Sequence, residues 1–283
     1  MIPFIDFGGS GSSLFFSHAN GYPPEAYGPL LTTLASNHHV RAIQFRPLWS
    51  DAHPDGLRDW HPFVDDVLQW VEESGEPQVM GVGHSLGAIA TLAAALRRPE
   101  LFRAVVLLDP VLFHQRLLFF WKLFQKLGLA HRVHPLIPAA KRRRRVFANK
   151  AEMFTRYRQK ATFARLSDPA LQAYVDSMAR PRADGQVDLA YLPEWEVAVY
   201  AHGPLDLWRH LRELRPPLLI IRGEHSDTFH PPAMRQVHAR LPSAQIITVP
   251  NTGHLVPMEQ PEEVARLIHD FLEDPGNWIN RDE

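Results

Sequence analysis

The 283-residue chain has no cysteine. That absence excludes disulfides and thiolate nucleophiles, and any metal site would need histidine and carboxylate ligands. Long hydrophobic runs are missing too: the strongest apolar stretch near the middle, "LLFFW" at 117–121, is far too short to span a bilayer. The opening "MIPFIDFGGSGSS" has neither a basic segment nor a long apolar one, so no secretory signal is expected. A soluble, cytoplasmic protein is the expectation. A net charge of −1 gives no reason to expect a polyanionic partner for the whole molecule. Internal repeats are absent, as is the histidine spacing of a helical metal site, so no metal or cofactor is expected.

What is present is alternation. Near-continuous apolar runs at 13–18, 40–45, 78–83, 104–109, 218–223 and 245–250 read as strands buried on both faces. Helical patterns lie between them at 24–36, 59–74, 86–97 and 231–241, with a last one at 261–273. In that last segment Val264, Leu267, Ile268 and Phe271 share one face behind a proline start. The alternation predicts a doubly wound, mostly parallel α/β sheet. It breaks at 111–216, which shows helical patterns and no convincing strand. The expected organisation is therefore a core of 1–110 and 217–283 carrying a helical insertion. "GGSGSS" at 8–13 is followed by a strand rather than a helix, and so reads as a hairpin turn, not a phosphate loop.

Between the strand ending at 83 and the helix starting at 86 lies Gly83-His84-Ser85-Leu86-Gly87. G-x-S-x-G in a strand–turn–helix context is the pattern of a nucleophile elbow, whose tight turn demands small neighbours. Gly83, Gly87 and Ala88 meet that demand. A serine hydroxyl needs a base to take its proton. His84 adjoins Ser85, but side chains flanking a tight elbow diverge. His254, on the loop between the last strand and the last helix, emerges at the same sheet edge as the elbow and is the expected base. For the acid that orients it, Asp227 follows the next-to-last strand and completes the chain order serine, acid, histidine. Asp109, at the end of the 104–109 strand, is the alternative, and Glu224 a lesser one. Asp109 also reads well as a strand-end carboxylate capping backbone amides before Pro110.

Ser85, Asp227 and His254, with "HANGYPPEAY" at 18–27, resemble the α/β-hydrolase superfamily of serine hydrolases. The resemblance covers almost the whole chain outside the insertion, and the N-terminal antiparallel strands usual in this fold look abbreviated. It implies an oxyanion hole made by the backbone N–H groups of Leu86 and Asn20, the latter in a His18-Ala19-Asn20-Gly21 variant of the usual His-Gly segment. A serine at the elbow sets the chain apart from the dehalogenases and epoxide hydrolases of this fold, which use aspartate. The implied activity is ester hydrolysis of a small to medium apolar acyl substrate. Thioesterase or carbon–carbon bond hydrolase activity, or a non-catalytic ligand-binding receptor or scaffold, are the alternatives.

The insertion resembles a cap domain. Its apolar residues at 112–129, with Trp195, Tyr200 and Trp208, are expected to line an acyl pocket, although helix packing is the simpler role for any one of them. Residues 141–165 hold ten basic residues against one acidic, Glu152. That run reads first as a solvated helix face and second as a site for an anionic substrate or lipid surface, with nucleic acid not expected. The oligomeric state is not legible.

Overall fold

The computed structural model describes residues 2–275. The chain runs through β1 (Phe4–Gly8), β2 (Ser13–Ser17), α1 (Gly28–Leu34), β3 (His39–Ile43), α2 (His61–Glu73), β4 (Val79–His84), α3 (Leu86–Arg97) and β5 (Phe102–Leu108). A mainly helical segment follows: α4 (Gln115–Lys126), α5 (Ala130–Val133), α6 (Ile137–Lys141), β6 (Val146–Phe147), α7 (Lys150–Arg158), α8 (Asp168–Met178), β7 (Ala179–Pro181), β8 (Val187–Leu189) and α9 (Pro193–His202). The sheet resumes with β9 (Leu218–Gly223), α10 (Pro231–Arg240), β10 (Gln245–Val249), α11 (Val256–Glu259) and α12 (Pro261–Glu273).

The large sheet has the order β1-β3-β2-β4-β5-β9-β10, and every pairing except β1 with β3 is parallel. Strands β2, β4 and β9 are buried at every residue, as expected of strands covered on both faces. Helix α1 packs on α12, and α2 on α3. The apolar face foreseen for the last helix is in place: Val264, Leu267, Ile268 and Phe271 are buried.

Two expectations are corrected. The 8–13 stretch is not a hairpin turn, because β1 pairs with β3 and not with β2. The chain crosses there instead, with Gly8, Gly9 and Gly11 all at positive φ. At Gly9 a Cβ would sit 2.0 Å from the His38 carbonyl oxygen, so only glycine fits the crossing. The segment between β5 and β9 does contain strands, three short ones in a small antiparallel sheet of order β6-β8-β7. At two or three residues each, they are too short to show a period in sequence.

Candidate active site

Ser85 stands between β4 and α3 with φ 57° and ψ −112°, a region that costs a non-glycine residue about 1–3 kcal/mol. The surroundings explain the small residues on either side. A Cβ on Gly83 would lie 2.5 Å from the Gly87 carbonyl oxygen, and one on Gly87 would lie 2.1 Å from that of Ser17. The turn is thus pressed between the first turn of α3 and the end of β2, and any larger side chain would force it open. Ser85 is 6% exposed.

Its hydroxyl oxygen is 3.0 Å from His254 Nε2, and His254 Nδ1 is 2.7 Å from Asp109 Oδ2. A proton on Nδ1, donated to the carboxylate, leaves Nε2 free to accept from the Ser85 hydroxyl. The backbone of the His254 loop is fixed at four points. Asn251 N–H donates to Glu224 and Gly253 N–H to Glu259, the Thr252 carbonyl accepts from His225 N–H, and the His254 carbonyl accepts from the His84 ring at 2.8 Å.

The acid beside the imidazole is Asp109, not Asp227. Asp109 continues β5 by one residue, with its N–H donating to the Ile221 carbonyl of β9. Its φ of 37° turns the chain there. The carboxylate is fully buried and collects four donors: Gly223 N–H on Oδ1, and Ser226 Oγ, Thr228 Oγ1 and His254 Nδ1 on Oδ2. Ser226 and Thr228 flank Asp227, and both of their hydroxyls turn inward to Asp109 while Asp227 is exposed. That alternation is what removes Asp227 from the line. Glu224, the lesser candidate, is spent on the Asn251 amide.

Burial alone would push the Asp109 carboxyl up, yet the hydrogen bond and charge of His254, with Ser226 and Gly223, hold it below the usual carboxylate range. For His254 burial works downward, and the Asp109 hydrogen bond and charge overcome it and raise the imidazole above its ordinary value. Asp227 contributes to that rise through charge alone. It is near the site without touching the histidine.

Leu86 is the first residue of α3, so its N–H has no acceptor within the helix. Neither that N–H nor the N–H of Asn20 is taken by another acceptor among the described residues. Asn20 is held by its side chain, which accepts from Tyr191 Oη at 2.8 Å and donates to the Glu196 carbonyl at 3.3 Å. Residues 17–18 press on Gly87, so the Asn20 loop and the elbow share one wall.

Sequence reasoning missed the residues that support this line. His84 donates from Nε2 to the His254 carbonyl, and its Nδ1 lies 2.7 Å from Tyr27 Oη, which also accepts from Ala19 N–H. The ring that adjoins the serine therefore ties the Asn20 loop to the His254 loop. Burial drives its pKa down to about 3, so it is neutral. His18 is likewise neutral, pushed down to about 4 by burial, and accepts from Phe45 N–H. Gly223 admits the His254 loop, because a Cβ there would lie 2.2 Å from the Gly253 carbonyl oxygen.

In the segment between β5 and β9, Arg143 is nearly buried and makes an ion pair with Glu196 and hydrogen bonds to the hydroxyls of Tyr157 and Tyr174. Tyr174 in turn reaches the Gly21 carbonyl at 3.4 Å, next to Asn20. Trp195 and Trp208 are buried, whereas Phe119 and Phe120 of the 112–129 stretch face solvent and line no acyl pocket. Among the described residues no cluster of histidines and carboxylates suits a metal ion, and no helix is long and apolar enough to cross a membrane.

Known proteins share this architecture. The uncharacterized hydrolase YugF of Bacillus subtilis (strain 168) is 28% identical over 217 residues, 73% of this chain and 69% of its own. The 2-(acetamidomethylene)succinate hydrolase of Mesorhizobium japonicum is 24% identical over 267 residues, 94% of this chain and 89% of its own. A crystal structure of E-2-(acetamidomethylene)succinate hydrolase superposes with a TM-score of 0.79 at 22% identity, covering 95% of this chain and 94% of the other. The model of the alpha/beta hydrolase family matches residues 14–267, and the chain belongs to that family.

Proposed function

We propose that the protein is a serine hydrolase that cleaves carboxylic esters of small to medium apolar acyl groups through an acyl-enzyme. The observation that carries this reading is the unbroken line from Ser85 Oγ to His254 Nε2, 3.0 Å, and from His254 Nδ1 to Asp109 Oδ2, 2.7 Å. Ser85 attacks the acyl carbonyl as His254 takes its proton, and the Leu86 and Asn20 amides receive the negative charge that develops on oxygen. His254 then returns the proton to the departing alcohol. Water enters, gives a proton to His254, and attacks the acyl-serine to release the acid and restore the hydroxyl.

In this reading residues 111–216 act as a cap over the Ser85 edge. Its contribution beside Asn20 is tyrosine-rich, and its buried cation, Arg143, is already neutralised by Glu196. That pairing takes up the charge of Arg143 itself, which supports a neutral ester over a succinate derivative of the kind hydrolysed by the Mesorhizobium relative. Thioester and carbon–carbon hydrolysis use the same groups and are arms of the test. A fluorophosphonate probe should label Ser85, and nitrophenyl esters should turn over faster than acyl-CoA thioesters or half-amides of succinate. Ser85→Ala should abolish labelling and lower turnover by about 10⁶. Substantial hydrolysis by folded Ser85→Ala would sink the mechanism, and absence of turnover with an intact, unlabelled serine would favour a binding protein.

A further inference from the structure

We infer that the outer face of α4 and the turns after it form a docking surface for an anionic lipid bilayer. Nine large hydrophobic residues are exposed among the described residues, and seven of them fall between 117 and 136. Phe119 is 67% exposed, Phe120 56% and Leu127 59%. At about 100° per residue, Phe119, Phe120, Leu123 and Leu127 occupy an arc of roughly 100° on α4 and its end. Leu118, Trp121 and Gln125 lie on the opposite side, where Leu118 is buried and Trp121 and Gln125 donate to carbonyls of Ala201 and Gly203. The helix is thus anchored inward by one face and leaves a second apolar face uncovered. Val133 and Leu136, at the end of α5 and just after it, are exposed as well.

Charge decides what covers it. From residue 110 to 151 there are ten lysines and arginines and no acidic residue. Arg143, Arg144, Arg145 and Lys150 are engaged with carboxylates elsewhere in the chain. Arg116, Lys126, Arg132, Lys141 and Arg142 are exposed and form no ion pair among the described residues. Arg116 lies inside the apolar arc and Lys126 at its edge, the placement of cations that meet headgroups while aromatic rings enter the acyl boundary. A second copy of the chain joined through the same face would set these cations against each other. An anionic bilayer satisfies both the apolar arc and the charge. Docking of this kind is peripheral, and it does not depend on the proposed ester chemistry.

Co-sedimentation of the whole protein with vesicles tests it, using phosphatidylcholine alone and phosphatidylcholine with phosphatidylglycerol, at low and high salt. Binding should appear with the mixed vesicles, be far weaker with phosphatidylcholine alone, and fall as salt rises. Removing two aromatic anchors in Phe119→Ser/Phe120→Ser should weaken it at least about tenfold. Reversing two cations in Arg116→Glu/Lys126→Glu should weaken it about twentyfold or more, since each basic residue at such a surface contributes about fivefold. Both variants should keep the wild-type melting temperature, because the replaced side chains are exposed. The inference is overturned by absence of binding to mixed vesicles, by equal binding to both vesicle types, or by folded variants that bind like wild type. Concentration-dependent dimerisation abolished by the two serines, without vesicle binding, would assign the face to a second copy instead.

Discussion

The His254 imidazole leans on Asp109, 2.7 Å away, across the ends of two different strands and over 145 positions of chain. Asp227, on the loop that chain order favours, is exposed and contributes only charge at a distance. Replacing Asp109 with asparagine should therefore lower kcat by roughly 10⁴, because the amide stabilises the wrong imidazole tautomer. Asp227→Asn should stay within a few-fold of wild type. Steady-state kinetics on both folded variants settle the assignment, and the reverse ranking would return the role to Asp227.

Much of the fold is legible because burial leaves a periodic trace. The buried strands of the parallel sheet show as apolar runs, and the inward face of α12 shows at helical spacing. That Ser85 and His254 meet is legible for a different reason, since an elbow demands glycines and the loop after the last strand emerges at the same edge. The carboxylate that meets His254 is not, because the choice rests on which side chains of Ser226, Asp227 and Thr228 turn inward. That is set by loop conformation and by donors from Gly223 and Thr228, neither of which has a sequence period. The 8–13 crossing is missed on similar grounds: glycines at positive φ suit both a hairpin and a crossover, and only strand order distinguishes them.

Gly223 supplies a second prediction. A methyl group there would lie 2.2 Å from the Gly253 carbonyl oxygen, one residue before His254. The loop has to move, while β9 is held by pairing on both sides. Gly223→Ala should cost about 1–3 kcal/mol of stability, as overpacking does. Its effect on kcat should be much larger than the fraction unfolded explains. Urea titration and kinetics on the same preparation separate the two, and near-wild-type kcat would show that the loop absorbs the methyl without shifting His254.

The raised pKa of His254 predicts the acidic limb of the pH profile. Only the neutral ring accepts the serine proton, so kcat/KM should rise with pH through a value above 6.5, the ordinary value for histidine. Burial opposes that shift and the hydrogen bond and charge of Asp109 produce it. In Asp109→Asn the limb should move to lower pH even as the maximum falls. An unmoved limb in that variant would mean that another group, not His254, is being titrated.

His84 and His18 predict how the fold fails in acid. Burial, the dominant cause for both, lowers His84 to about 3 and His18 to about 4, from an ordinary value of 6.5. Between those limits the unfolded chain binds a proton at each residue and the folded chain does not. Stability from these two rings is thus complete above pH 6.5 and drains as pH falls, at about 1.4 kcal/mol per pH unit for each. His254 acts in the opposite sense: its raised pKa adds stability below 6.5 that is lost only as pH rises through the folded value. Asp109, lowered from 3.8, adds stability that is lost below that value. The descent between pH 6.5 and 4 therefore belongs to histidines held neutral, the half-buried His134 among them at about 4. The two rings together can remove at most about 8 kcal/mol, so they suffice for unfolding only toward the lower end of a total of about 5–15 kcal/mol. His84→Gln keeps a donor for the His254 carbonyl but does not titrate. It should be less stable than wild type at neutral pH, and its unfolding free energy should fall with acid less steeply by about 1.4 kcal/mol per pH unit. Urea unfolding at several pH values measures both slopes, and parallel slopes for the two proteins would show that His84 is not held neutral in the folded state.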